Sequence, residues 1–420
     1  MSTATKTRQP KLWSVNFVLL IVTTFLCSFC FQMLNATLAL YVESIMPGSS
    51  VTGTVAGIAS LLFTVAIICS RSCGARLLEM YGRKVVAVTG CVILGVGCLL
   101  NAWIPTVAAL LILRFVQGVG AGGFATTNSI ANIHVVPTER LSEGMGKVSA
   151  GGTLSMIIGP SIALLLIAGG DYRVPFYAVV ACCALSVVCT LIITTDHDRA
   201  MKKKLAENRK NGVKQHFRLG RLRDMICTEV MLPSLIQFLV MVSFASFTTY
   251  LTIYANDRGY VFEFASLSTA GAFFGLASIV MVVTQFGFSH LGDKYGPVRV
   301  AIPGMALSVI AFIMLALSHS LTLFFVAAVF YGIGSGLIMP VLSAATIKGA
   351  PKDRTSLASS TFYILYDAGL GLGALLWGVV RDITGVGGMY AGAAVTMALA
   401  AYMTWYVYGK KKWLECSQNS

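Results

Sequence analysis

Long apolar runs alternate with short polar breaks from one end of the chain to the other. Six runs fall in the first half, near 13–41, 51–78, 85–103, 107–131, 144–168 and 175–194. A polar segment over about 196–229 follows, and then six more runs, near 232–254, 265–288, 298–317, 321–345, 357–380 and 388–408. Runs of about 18 residues or more let a helix rising about 1.5 Å per residue cross the hydrocarbon core of a bilayer. The pattern predicts an all-α membrane protein with 12 transmembrane helices. Its predicted domains are a six-helix bundle over 1–195, a basic cytoplasmic linker over 196–230 and a second six-helix bundle over 231–420.

The halves repeat. Tyr81-Gly82, in the charged turn after the second run, returns as Tyr295-Gly296, and Glu79 returns as Asp293, at an offset of 296 − 82 = 214. Gly118, Gly120 and Gly122 recur as Gly332, Gly334 and Gly336 at the same offset, Pro137 as Pro351, Arg140 as Arg354 and Gly159 as Gly373. Each half carries its turn after the same run, so the repeat is parallel and predicts two bundles related by an axis along the membrane normal.

Composition agrees with this class. Of 420 residues 56% are hydrophobic and 11% charged, and the mean hydropathy is +0.78, outside the range of soluble domains. Nearly all of the eleven cysteines lie inside apolar runs, where they read as small hydrophobes rather than a disulfide framework. The net charge of +14 is one-sided. Lys6, Arg8, Lys11, Arg76, Arg83, Lys84, Arg140, Lys147, Lys294, Arg299, Lys348, Lys352, Arg354 and 410–412 share one side. The other side carries Glu43, Asp171, Arg173, Asp257, Arg258, Arg381 and Asp382. Positive charge marks the cytoplasmic face, which places both termini and the linker there. The linker's basic run has no interleaved aromatics, so it is expected to lie on anionic lipid headgroups rather than to bind nucleic acid. The first run is too long for a signal-peptide core and is expected to be retained.

The charged turns have a mechanical reading. A carboxylate at Glu79 or Asp293 suits the positive N-terminus of a neighbouring helix. The repeat offers two such starts, Arg140-Leu141-Ser142 and Arg354-Thr355-Ser356. Ala75 to Lys84 resembles the signature of the major facilitator superfamily between its second and third helices, Gly-x-Leu-Ala-Asp-Arg-x-Gly-Arg-Arg/Lys. Leu77, Gly82, Arg83 and Lys84 match it, Glu79 keeps the acid in kind, and Ala75 and Met80 depart from it. Arg114-Phe115-Val116-Gln117-Gly118 resembles the family's Arg-x-x-Gln-Gly motif, associated with proton-coupled members, and Gly159-Pro160 resembles the core of its antiporter motif. The stretch from Arg71 to Arg76 and the glycines of the eleventh run look most like bacterial efflux permeases of the drug and arabinose-efflux type. The resemblance implies a multi-pass protein of the bacterial inner membrane, working as a monomer by alternating access, and export rather than uptake.

Two charges lie deep in predicted spans. Arg114 sits about 9 residues into the fourth, roughly 13 Å at 1.5 Å per residue, and Asp367 about as deep in the eleventh. A charge at that depth is costly and should face a cavity or a partner. Asp367 is expected to exchange a proton as the cavity changes sides, with Arg114, which keeps its charge, as the second member of the coupling site. Glycines at Gly369, Gly371 and Gly373 let a neighbouring backbone approach this segment. Candidate cavity residues are Gln32, Asn35, Gln117, Asn128, Gln237, Thr249, Tyr250, Gln285, Tyr331, Tyr363 and Tyr366, with Met33, Phe124, Phe247, Met339 and Phe362 suited to an amphiphilic ligand. The candidate gating set is Glu79, Gly82, Arg83, Lys84, Asp293, Gly296, Arg140 and Arg354. The expected function is proton-coupled efflux of a small amphiphilic molecule, the rival reading being import or facilitated passage of a small polar metabolite. The five histidines are scattered at membrane edges, and no Gly-Lys-Ser/Thr loop occurs, so no enzyme, metal site, cofactor or ATP site is expected.

Overall fold

The computed structural model describes residues 12–47, 52–167, 171–195, 198–203, 207, 226–260, 269–351 and 354–409. The first half holds α1 (Val15–Ile45), α2 (Thr52–Tyr81), α3 (Arg83–Trp103), α4 (Val107–Val135), α5 (Leu141–Ile167) and α6 (Val174–Ile192). The second holds α7 (Met231–Asp257), α8 (Thr269–Phe288), α9 (Leu291–Leu317) and α10 (Leu321–Lys348). Two more spans, α11 (Thr355–Arg381) and α12 (Ile383–Gly409), complete it. All 12 are long and apolar enough to cross a membrane. They form two six-helix bundles, and no strand occurs among the described residues. The predicted spans match in number and order, with the largest shifts at the starts of α9, Leu291 rather than 298, and α12, Ile383 rather than 388. Most of the linker's basic run, 204–206 and 208–225, lies outside the described residues.

The duplication extends to atomic packing. Thr106 caps α4 by accepting the Ala109 N–H, and Ser320, at 106 + 214, caps α10 by accepting that of Leu323. A Cβ on Gly120 would lie 2.6 Å from the Gly90 carbonyl oxygen, and one on Gly334 would lie 2.5 Å from that of Gly304. Gly118 abuts Phe63 and Ala66 as Gly332 abuts Ala277 and Val280, every residue shifted by the same 214. Small residues thus let α4 and α10 close onto their neighbours where no hydrophobic drive between helices exists.

The motif turns share one backbone device. Gly82 (φ 82°, ψ 156°) separates α2 from α3, and Gly296 (φ 78°, ψ 172°) breaks α9 in its second turn in the same way. This region is open to glycine alone. Both turns, Leu12 and Gly409 lie at one end of the molecule, the basic end. We expect Gly82→Ala and Gly296→Ala each to cost about 1–3 kcal/mol and to lower the melting temperature in detergent. Asn, which tolerates only the left-handed helical region, should not rescue either site. Gly287→Ala, with open space around its Cβ, is the neutral control.

Candidate functional site

The bundles meet through α2 against α11 and through α5 against α8, α9 and α10. At the first contact Arg71 Nε of α2 lies 2.8 Å from Asp367 Oδ2 of α11, with the side chains 10% and 17% exposed. The guanidinium carbon also stands 5.1 Å from the centre of the Tyr363 ring, whose neighbour Tyr366 is 6.1 Å away. The ion pair is set off-axis. Arg71 Nε, Arg71 Nη1 and Asp367 Oδ2 are all buried and make no aligned hydrogen bond. Asp367 is held in place from behind, because Gly369 and Gly373 let α11 lie against Phe238, Met241, Val242 and Ala245 of α7. Gly371 faces open space one turn beyond Asp367.

The repeat supplies a neutral counterpart. At the α5–α8 contact, Thr153 Oγ1 donates to Gln285 Oε1 at 3.1 Å. Gln285 is Arg71 shifted by 285 − 71 = 214, and Thr153 is Asp367 shifted by 367 − 153 = 214. Two equivalent bridges therefore join the bundles, one charged and one neutral.

The basic end is closed by a latch. Asp293 Oδ1 and Oδ2 accept the N–H groups of Ser142 and Glu143, each at 2.9 Å, at the start of α5 in the other bundle. The helix dipole favours an anion at this position, and Lys348 donates to Asp293 Oδ1 at 2.8 Å. Ser289 Oγ donates to the Glu143 carbonyl at 3.3 Å. Glu143 is itself held between Arg140, 2.7 Å away, and Lys147. Ala344 and Ile347 of α10 pack into an apolar cluster with Leu12, Val136, Leu141 and Met145, which seals the same end. Glu79, the expected counterpart of Asp293, has its side chain outside the described residues.

The first motif's cations act within their own bundle. Arg83 donates through Nε and Nη2 to Asp198 at 2.9 and 2.8 Å and to the Ile193 carbonyl at 3.0 Å. Lys84 reaches the Leu191 carbonyl and Thr194 Oγ1, so both cations meet the negative C-terminal end of α6. Thr195 and Asp198 cap one another's backbone N–H at 3.0 and 3.1 Å and start a short helix over 198–203. Burial alone would raise the Asp198 carboxyl, but Arg83 and the Thr195 donors outweigh it and hold it below the usual carboxylate range. Arg354 pairs with Glu229 at 3.0 Å on the surface, tying the linker's exit to the start of α11.

A family model described as Major Facilitator Superfamily matches residues 20–289 and again 261–415. The chain belongs to the major facilitator superfamily. It is 25% identical over 382 residues to an uncharacterized MFS-type transporter of Methanocaldococcus jannaschii, covering 90% of this chain and 95% of that protein. It is 23% identical over 401 residues to the multidrug resistance protein MdtG of a Rahnella species, covering 94% of each. Among solved structures, the human organic anion transporter MFSD10 superposes with a TM-score of 0.76 at 17% identity, over 94% of this chain and 100% of that one. The transporter FucP in its outward conformation superposes with a TM-score of 0.73 at 14% identity, over 94% and 99%. The fold is thus the superfamily's.

Within this superfamily member the other predicted residues scatter. Arg114 does not serve Asp367, whose cation is Arg71. It lies 1% exposed inside the first bundle, donates to the Leu34 carbonyl at 2.8 Å and faces the Phe63 ring at 5.8 Å. Asn128 braces α1 through Thr23 and Thr24. Tyr250 donates to the Ala374 carbonyl at 2.8 Å. Gln117 and Gln237 are fully buried with unpartnered amides, and Gln32 packs against Gly159. Asn35 and Thr249 are exposed. Tyr331, expected in the cavity, is instead core, its ring 4.1 Å from that of Phe247. Met33, Phe124, Phe247 and Phe362 are buried in the same way, and Met339 is half-buried. The reading missed Arg71 itself. Its signal was the offset that equates Arg71 with Gln285, already a candidate.

Two outcomes follow from these contacts. Replacing Asp293 with Ala removes both acceptors from the α5 start at a cost of about 1 kcal/mol. In a cysteine-depleted background, maleimide labelling of Ala344→Cys should then quicken roughly fivefold, about what 1 kcal/mol gives where 1.4 kcal/mol is tenfold. The Arg83–Asp198 contact stabilises the folded state only while Asp198 is ionised. Its carboxyl is lowered on folding, so the contribution is complete above about pH 5 and fades as pH falls below about 4. Hydrogen exchange over 198–203 should report this fade, and Asp198→Asn should abolish it.

Proposed function

We propose that the protein is a proton-coupled secondary transporter that exports a small amphiphilic molecule by alternating access. The observation that carries this reading is the Arg71–Asp367 pair, which joins the two bundles where the equivalent bridge is neutral. One bridge can therefore titrate and the other cannot. Lys and Arg mark the basic end as cytoplasmic, so the bundles are drawn together on the cytoplasmic side and Asp367 is served from outside. Residues 196–230 form the linker between domains 1–195 and 231–420, with the basic run on anionic headgroups.

A proton on Asp367 removes the carboxylate that compensates Arg71 and dissolves the bridge between α2 and α11. The bundles then rock about the interface, the Asp293 latch releases the α5 N-terminus, and Asp367 opens to the cytoplasm. Loss of the proton there restores a carboxylate that binds either substrate or Arg71, and the return step carries substrate outward. The membrane potential adds about 2.3 kcal/mol per inward charge per 100 mV. Export is the direction that the name of the multidrug relatives suggests, and a bacterial inner membrane is the setting it implies.

The repeat itself supplies the test. The double variant Arg71→Gln, Asp367→Thr installs the pair found at Gln285 and Thr153. In vesicles holding a pH dye, wild-type protein should move protons when amphiphiles are added, and the double variant should stay monodisperse yet move none. Equal proton movement in both proteins would remove Asp367 from the coupling step.

A further inference from the structure

We infer that the substrate is amphoteric: its cationic group binds Asp367, its anionic group binds Arg71, and its aromatic or apolar body lies along Tyr363 and Tyr366 toward Gly371. This rests on the proton-coupling reading above and assigns that site a substrate class.

Two observations carry it. First, the pair leaves hydrogen-bonding capacity unused on both sides. Arg71 Nη1 is a buried donor without an acceptor, and Arg71 Nε and Asp367 Oδ2, although 2.8 Å apart, do not align into a hydrogen bond. A buried polar atom without a partner costs free energy that a ligand group can recover. Because the unmet atoms include donors on the cation and an acceptor on the anion, the ligand that completes both carries both charges. Second, the charges belong to different bundles, so each rocking step that separates α2 from α11 parts them. A substrate riding the outward step in place of a proton must then compensate both. A monocation would satisfy Asp367 but stand beside Arg71 with nothing to neutralise it, and a monoanion would leave Asp367 bare. An inserted zwitterion keeps every charge paired and bridges the bundles as the direct contact does.

Among the described residues, Arg71 is the charged neighbour of Asp367, and the other groups around the pair are neutral. From α11 itself come Tyr363 and Tyr366, with Arg71 over the first ring. Behind α11, α7 presents Phe238, Met241, Val242 and Ala245. On α4, the hydroxyl of Ser129 faces Tyr363. Beyond Asp367, nothing lies within 4 Å of where a Gly371 Cβ would stand, which leaves room for the substrate body.

The test uses three probes of one skeleton with the full chain in detergent: Nε-dansyl-lysine, a zwitterion; its methyl ester, a cation; and its Nα-acetyl derivative, an anion. Dansyl fluorescence should give the zwitterion at least a tenfold lower Kd than either single-charge probe on the wild-type protein, a comparison that needs no variant to fold. Arg71→Gln should bring the zwitterion to the affinity of the ester, and Asp367→Asn should bring it to that of the acetyl probe. An ester or acetyl probe that binds wild type as tightly as the zwitterion overturns the proposal, as does failure of all three to bind. Proton movement in vesicles keeps the two readings apart. Proton flux without zwitterion preference overturns the substrate class alone, whereas zwitterion preference without proton flux overturns the coupling and sustains the charge match.

Discussion

A charge taken out of water must be compensated where it sits, and in a helix bundle that spans a bilayer the compensation has to come from another helix. Arg71 and Asp367 meet this constraint across the gap between bundles rather than within one. The choice has a mechanical consequence. A buried pair within one bundle would only stiffen it, whereas a pair shared between bundles makes their relative position depend on whether both members are charged. Arg114 illustrates the other case: its guanidinium donates through Nη2 to the Leu34 carbonyl of its own bundle, with Nε and Nη1 buried and unpartnered.

Duplication sharpens the contrast. Corresponding glycines in α4 and α10 approach corresponding carbonyls, corresponding hydroxyls cap corresponding helices, and corresponding glycines turn the chain at the two motifs. Against that background the exchange of Gln285 and Thr153 for Arg71 and Asp367 is a departure from symmetry at equivalent interface positions. The neutral bridge holds no titratable group, whereas the charged one holds Asp367. The latch at Asp293 is of a third kind. A carboxylate on two backbone N–H groups beside Lys348 closes the basic end.

Much of this was legible in the sequence. Run lengths and the offset of 214 gave the 12 spans, the parallel repeat and the α5 start as a seat for Asp293, because each depends on spacing alone. The depth of Asp367 marked it for the same reason. What stayed hidden depends on which face a helix turns inward. On helices apolar nearly all round, periodicity does not separate lumen from core, so Tyr331 and Phe247 read as cavity residues although they pack against each other in the second bundle. Arg71 lies about one turn before the charged motif and read only as part of the stretch that resembles efflux permeases. Its partner comes from nearly 300 residues away, a juxtaposition that only the packing of α2 on α11 creates.

In the proposed mechanism the charge state of Asp367 sets the distance between the bundles at the basic end. Spin labels at the exposed positions Tyr81 and Tyr295, one on each motif turn, measure that distance directly in reconstituted protein across a pH range. The pair predicts a distance distribution that lengthens as the pH falls in wild type, and one that is already long and insensitive to pH in Asp367→Asn. A wild-type distance that ignores pH, or a pH response that survives the substitution, would contradict it.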